Sequence, residues 1–204
     1  MSVRTTIQKT FSMGGVSFAE TITKTADAFL AQEVSVPAAQ ESALSTRTNN
    51  TDGTLTMDSS GHSITTGSRV DLYWTVAGVS GERLGATVGT VSGASVPFTG
   101  GSGDNLPAQA SVIMAALPEV LDIIVDGDNV AAILLASAKR GQIVFTSSGV
   151  TEQFAKTLGA ATSFAWHDTD GSVNPIVGDD IVAVYVSHGD AAAATMKVGV
   201  LFNN

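Results

Sequence analysis

Polar and apolar residues alternate with period two along most of this chain, the signature of half-buried strands. From Val16 to Thr25 the sequence sets Val16, Phe18 and Ile22 against Thr21, Thr23 and Thr25. Ala28–Val36 carries the pattern on through Leu30, Val34 and Val36, and Pro37 stops it because proline cannot donate to a ladder. A helix over Thr25–Glu33 is the alternative for that stretch, since Ala, Leu, Gln and Glu suit one. Residues 38–61 are polar and turn-rich and read as a loop holding one short strand, Thr54–Met57, after the turn at Asp52-Gly53.

The alternation is strongest in Ser68–Val76 (SRVDLYWTV), followed by a second strand at Leu84–Val91 and a return at Val96-Pro97-Phe98 after Ser92–Ser95. Pro97 belongs on an edge or at a bulge. Thr99–Asn105 (TGGSGDN) reads as a linker or long loop. Pro107–Pro118 fits one strand or two helical turns. Leu121–Val125 and Asn129–Leu135 flank Asp126-Gly127-Asp128, which predicts a hairpin. Gln142–Ser147 follows the turn at Lys139–Gly141, and Phe154–Trp166 alternates again. His167–Gly171 turns the chain. Ile181–Val186 is a continuous β-branched run of the kind buried on both faces, and Met196–Phe202 is a closing strand.

Strands spaced in this way, with turn signals between them and no helical heptad, predict an all-β fold. The expected architecture is an antiparallel β-sandwich or barrel-like arrangement with long polar loops and an extended N-terminal arm. The expected division is an N-terminal β-rich region with the arm over 1–100 and a C-terminal sandwich over 101–204, with one continuous domain as the alternative.

Composition narrows the chemistry. Of 204 residues, 44 are Ser or Thr, 21 are Gly and none is Cys. That excludes a disulfide scaffold, a thiolate metal site and a cysteine nucleophile. Ten basic residues against 19 acidic ones give a net charge of −9, which argues against a nucleic-acid partner. Residues 101–204 carry −7 of it (4 basic, 11 acidic), mostly at turns. The apolar runs are too short to span a membrane as helices, so no membrane partner is expected. The opening MSVRTTIQKTFSMGG lacks a secretory pattern, which points to a chain made and kept in the cytoplasm, or released from it by lysis.

No constellation for a reaction stands out. His62, His167 and His188 form no HxH or HExxH pattern and read as loop histidines. Among the carboxylate pairs Asp126/Asp128, Asp168/Asp170 and Asp179/Asp180, only Asp168-x-Asp170-Gly171, with Asn174 nearby, has a trace of calcium-loop character. It lacks the further ligands of such a loop, and turn chemistry explains it. No catalytic residue, metal site or cofactor is therefore assigned, with Asp168 and Asp170 as the sole candidate metal ligands. Gly78-Val79-Ser80-Gly81 and Gly89–Gly93 miss the GxSxG spacing, and Gly101-Ser102-Gly103 misses the dinucleotide fingerprint. Asn49-Asn50-Thr51 is a glycosylation sequon without a secretory context. Trp74, Trp166, Tyr73 and Tyr185 read as core or interface anchors ahead of ligand-stacking platforms.

The segments RVDLYWTVAG, RLGATVGTVSGASVPFTGGSGDNLPAQ and VDGDNVAAILLASAKRGQIVF, between about residues 69 and 145, resemble small β-rich proteins of tailed-bacteriophage structural modules. The opening pattern FSMGGVSFAETITKTAD has the same character. The resemblance implies a non-enzymatic virion component of the head-decoration, neck or tail type, with decoration first. It further implies a homo-oligomer whose partners are its own copies and other virion proteins, assembled in the host cytoplasm and carried in the virion. The Thr-rich N-terminus then suits an arm that adds a strand to a neighbour. The alternative from another class is a carbohydrate- or surface-binding β-sandwich.

Overall fold

The alternation resolves into strands almost everywhere. The computed structural model describes residues 3–13, 16–26, 28–125, 127–147, 152–169, 171–176 and 180–202. An N-terminal ribbon pairs β1 (Val3–Met13) with β2 (Val16–Ala26), antiparallel, and β3 (Ala28–Val36) follows. Seven strands then come in succession: β4 (Gln40–Arg47), β5 (Gly53–Met57), β6 (Arg69–Val76), β7 (Val79–Val88), β8 (Ser95–Thr99), the two-residue β9 (Ser102–Gly103) and β10 (Val112–Ala116). The last seven are β11 (Glu119–Val125), β12 (Val130–Ser137), β13 (Gly141–Thr146), β14 (Glu152–Leu158), β15 (Thr162–His167), β16 (Ile181–His188) and β17 (Ala194–Phe202).

Strands β6-β10-β4-β5-β8-β7 close on themselves through β6–β7 pairing into a six-stranded antiparallel barrel, with β9 on the outside of β7. Its inward residues follow the period-two expectation: Val70, Leu72 and Trp74 of β6 pack with Leu44, Leu55 and Phe98. The remaining strands build a sandwich of two four-stranded sheets, β11-β16-β13-β14 (the middle sheet) and β15-β12-β17-β3 (the outer sheet). Ile133 and Leu135 of β12, Val198 and Val200 of β17, Ile143 and Phe145 of β13, and Val184 and Val186 of β16 fill the space between them. The middle sheet turns its other face to the barrel through Val144, Tyr185 and Ser187. The all-β barrel-and-sandwich expectation is met.

Local departures have physical reasons. Ala28–Val36 is strand, because it closes the outer sheet on β17 with nine register pairs and gains burial that a surface helix would not. The 38–61 segment holds an unforeseen strand, β4, whose buried positions are Leu44 and the polar Ser42. Asp126-Gly127-Asp128 does not close a hairpin: β11 pairs with β16 and β12 with β15 and β17, so the chain crosses from the middle to the outer sheet there. The crossing takes a 3-10 turn at Gly127–Asn129, braced by Asn174 Nδ2 donating to the Gly127 carbonyl at 2.9 Å. Pro97 lies on β8, whose ladder with β7 covers only Phe98 and Thr99 and so needs no amide from it. The chain passes from the outer sheet to the barrel at 36–40 and from the barrel to the middle sheet at 116–119.

The glycine-rich stretch Thr99–Asn105 is no free linker. The Arg83 guanidinium, 3% exposed, donates to the carbonyls of Gly100, Gly101, Gly103 and Asp104 and pins the stretch to the barrel wall. Gly101 and Gly103 need to be glycine: their φ values are +79° and +111°, and an added Cβ would stand 2.7 Å and 2.6 Å from backbone oxygens of β7.

Candidate functional site

The densest polar chemistry among the described residues lies where the barrel meets the middle sheet. In β6, Val70, Leu72 and Trp74 point into the barrel, so alternation turns Asp71 and Tyr73 outward onto the sandwich. Opposite Asp71, β7 bulges: the register jumps from Val70↔Ala86 to Leu72↔Arg83. The bulge puts Gly85 at φ +69° and frees its amide, which donates to Asp71 Oδ1 at 2.6 Å. Ser187 of β16 donates to Asp71 Oδ2 at 2.6 Å. Tyr73 OH lies 2.7 Å from Ser187 Oγ. Burial, and then the Asp71 carboxylate, push the Tyr73 phenol well above its usual range. The phenol thus keeps its proton and donates it to Ser187, so protons run from Tyr73 to Ser187 to Asp71. Arg69 Nε stands 3.3 Å from Asp71 Oδ1, with the guanidinium 4.3 Å above the Tyr185 ring.

A second link lies beside the first. Glu82 of β7 accepts from Arg140 Nη2 at 2.7 Å, from Thr157 Oγ1 at 2.7 Å and from Gln142 Nε2. Gly189 closes the seam at one end: a Cβ there would stand 2.5 Å from Tyr73 Cβ, so only glycine permits the approach. At the seam's rim a groove of about 360 Å³ is lined by Tyr73, Thr75, Val112, Met114, Arg140 and Asp190.

This arrangement joins two bodies, and its hydrogen-bonded groups are spent on one another. Asp71, Tyr73 and Ser187 are each at most 2% exposed, so an Asp–Ser–Tyr chain that would suit proton transfer in a cleft is sealed here. Sequence reasoning assigned Tyr73 and Tyr185 as anchors, and both stand at this seam. It missed Asp71, Glu82, Arg83 and Ser187. The available signal was a lone charged residue inside an otherwise apolar strand: Asp71 in RVDLYWTV, with Ser187 ending IVAVYVSH.

The other candidates lie apart. Trp74 is packed in the barrel and Trp166 in the sandwich, where its indole N–H donates to Ser172 Oγ at 2.9 Å. The histidines are not all loop residues. His62 sits in a loop and bonds the Gly93 carbonyl at 3.0 Å, whereas His167 and His188 end strands β15 and β16 and are buried. His188 Nε2 donates to the Val36 carbonyl at 3.2 Å and Nδ1 accepts from the Asp190 amide at 3.2 Å, so the neutral ring is fully used. Asp168 is exposed, and its amide donates to Ala131 O at 3.1 Å. Asp170, Asp126 and Asp179 lie outside the described residues, as does the Asp128 side chain. Asn174, the neighbour of the Asp168/Asp170 pair, is committed to Gly127 O and the Ile176 amide. Among the described residues no three His, Asp or Glu side chains converge as a metal site, and no helix is long and apolar enough to cross a membrane. Gly78-Val79-Ser80-Gly81 forms the β6–β7 hairpin: Ala77 and Gly78 both take positive φ, 51° and 81°, as a two-residue turn of that hand requires.

No protein-family model and no curated protein matches the chain. Among solved structures it is similar to VP17, a capsid protein of bacteriophage P23-77, at 9% identity and a TM-score of 0.22, covering 98% of this chain and 96% of that one. It is likewise similar to the VP16–VP17 complex, a complex of the two major capsid proteins of the same phage, at 10% identity and a TM-score of 0.22, covering 98% of both chains. A TM-score of 0.22 lies below the level of a shared fold.

Proposed function

We propose that this chain is a non-enzymatic structural subunit of a phage particle, of the head-decoration type, that assembles in many copies with itself and with other virion proteins in the host cytoplasm. The observation that carries the reading is the outer sheet. Its edge strand β3 runs nine residues, pairs with β17 on one side only among the described residues, and presents Phe29 at 56% exposure. Its outward face, part of which the chain's own β2 lies against, carries Ala31, Ala136 and Gly199 beside the exposed Glu33–Lys197 pair, with shallow grooves of about 310–340 Å³. A long, regular, weakly charged edge and face invite association in a free protein. In a subunit they are the surface that copies and neighbours cover. The resemblance of residues 69–145 to phage structural-module proteins supports the same reading, and the acidity of residues 101–204 supports an outward, decorating position over a tail or neck one. Electron microscopy of the purified protein, alone and mixed with phage heads, tests it. Rings, lattices or head-bound density are expected. A monodisperse monomer that binds no particle overturns it.

A further inference from the structure

We propose that β3 pairs antiparallel with β3 of a second copy of this chain, about a two-fold axis at Gln32, so that two four-stranded outer sheets join into one. The inference rests on the assembly reading above and gives that assembly a contact. A sheet edge presents unpaired amides and carbonyls, and proteins blunt such edges with bulges, short strands or charges. Among the described residues the sandwich has four edges, and three of them are blunted. In β11 the register with β16 slips between Asp122 and Val125, and the strand carries Glu119 and Asp122. In β14 the register with β13 slips between Phe145 and Thr146, and Thr157 and Glu152 are tied to Glu82 and Ser102 of the barrel. Strand β15 is six residues long, and Lys156 of β14 sets its ammonium 4.7 Å from the Phe164 ring centroid.

Strand β3 has none of these devices. It keeps register with β17 over all nine residues, Ala28 to Val36. Its one charge, Glu33, is paired with Lys197 of its own sheet at 3.5 Å. The chain's own β2 lies against β12 and β17, on the face of the sheet and not alongside β3. The two sides of the sandwich core are also closed differently. On the β14/β15 side Phe154 stands between Phe145 and Phe164, with ring centroids 5.8 Å apart in both pairs. On the other side, where β3 packs against β11, the last core residues are Leu30 and Leu121, both only partly buried, and Phe29 is exposed.

The strand is complementary to itself. Opposed residues of an antiparallel pair share a face, so β3 and its copy must set even positions against even and odd against odd. Leu30, Gln32 and Val34 form the row that faces the core, opposite Val200, Val198 and Met196 of β17. Of the registers this allows, the one centred on Gln32 alone pairs all nine residues, with about eight to ten backbone hydrogen bonds. It sets Leu30 against Val34 of the copy, twice, on the core side, and Phe29 against Ser35 on the outward side. Glu33 falls opposite Ala31, whereas a register centred on Glu33 would oppose two carboxylates. Gln32 meets its own image on the axis. It is exposed although it stands in the core-facing row. A carboxamide carries donor and acceptor on one group and so bonds its own image reciprocally. One polar pair between two Leu–Val pairs fixes the register, as a lone asparagine does in a coiled coil.

Sedimentation of the full-length chain tests the contact. Gln32→Glu and Gln32→Lys each set like charges on the axis, and each alone is expected to weaken association about tenfold or more, with the circular dichroism of the fold unchanged. A one-to-one mixture of the two is expected to restore it, because a two-fold at position 32 brings glutamate against lysine. The chain has no cysteine, so Gln32→Cys under mild oxidation is expected to give a disulfide-linked dimer. Ser35→Cys, whose copies stand six residues apart along the pair, about 20 Å, is expected to give none. Wild-type mass in Gln32→Glu, no recovery in the mixture, or equal crosslinking of the two cysteine variants overturns the contact. Loss of head binding in Gln32→Glu with self-association unchanged assigns β3 to a strand of another protein and overturns it too. If Gln32→Glu forms lattices or binds heads as the wild type does, the contact falls and the assembly reading stands; if the wild-type chain neither associates nor binds particles, the assembly reading falls with it.

Discussion

Replacing Asp71 by alanine removes the acceptor on which the seam between barrel and sandwich converges. Two buried donors lose their partner, the Gly85 amide and the Ser187 hydroxyl, each at 2.6 Å in the intact protein. An orphaned buried donor costs about 1–3 kcal/mol. Arg69, 19% exposed, turns to water and limits the loss of its ion pair. The expected destabilisation is about 3–5 kcal/mol. Asparagine costs less, about 1–3 kcal/mol, for a countable reason. Its oxygen still serves Gly85, but its amide donates to Ser187 where a carboxylate accepted. Either the Ser187 or the Tyr73 proton is then stranded, one donor too many where alanine strands two. The two tryptophans make the assay: Trp74 reports the barrel and Trp166 the sandwich, so Trp74→Phe and Trp166→Phe each leave one reporter. In urea the two reporters should give coincident transitions in the otherwise wild-type chain and separated ones after Asp71→Ala, the barrel and sandwich no longer unfolding together. An Asp71→Ala shift below about 1 kcal/mol, or an asparagine variant less stable than the alanine one, would refute the reasoning.

Arg83→Met keeps the aliphatic stem and deletes the donors to four carbonyls; a loss of about 2–4 kcal/mol is expected, with residues 99–105 becoming the first site of limited proteolysis, and an unchanged cleavage map counts against the pinning role. Burial pushes the His188 imidazole below its usual 6.5, with the Val36 carbonyl opposing. The unfolded chain therefore takes up a proton that the fold refuses, so stability is full above about pH 6.5 and falls as the pH drops below it; melting temperatures should fall with pH on that acid side in the wild type and less in His188→Gln. Gly189→Ala drives a Cβ to 2.5 Å from Tyr73 Cβ and should cost about 1–3 kcal/mol by denaturant titration, whereas Gly61→Ala, whose Cβ would meet only Ser59 Oγ at 3.5 Å, should be near neutral.

How far the sequence could be read depended on whether the pattern was local. Strands β6, β16 and β17 were visible because their alternation or β-branched runs are written into consecutive residues. Strand β4 was hidden because its burial rests on Ser42 as much as on Leu44, and a serine carries no apolar signal until β5 and β10 flank it. The Asp-Gly turn at 126–128 misled because turn chemistry fixes a reversal of direction and says nothing about which sheet receives the next strand. A sandwich crossing and a hairpin need the same residues there. Thr99–Asn105 looked free because its restraint comes from a side chain at least 16 residues away in sequence, Arg83. The seam was illegible for the same reason: Asp71 and Ser187 are 116 residues apart, and only the β7 bulge makes the buried carboxylate affordable.

The seam also limits how the protein can meet its neighbours. A four-stranded sandwich sheet has one face for the core and one to spare. In the middle sheet the spare face is consumed by the barrel through Val144, Tyr185 and Ser187, and it is sealed by a charge network that would be costly to open. The outer sheet's outward face is covered in part by the chain's own β2, which lies against β12 and β17, and β3 has no second ladder partner among the described residues. The barrel, closed through β6–β7, has no strand edge of its own except the two residues of β9, which Arg83 holds down. Among the described residues the outer sheet ends in β3 and β15 and the middle sheet in β11 and β14, so the edges open to strand-mediated contact belong to the sandwich and not to the barrel.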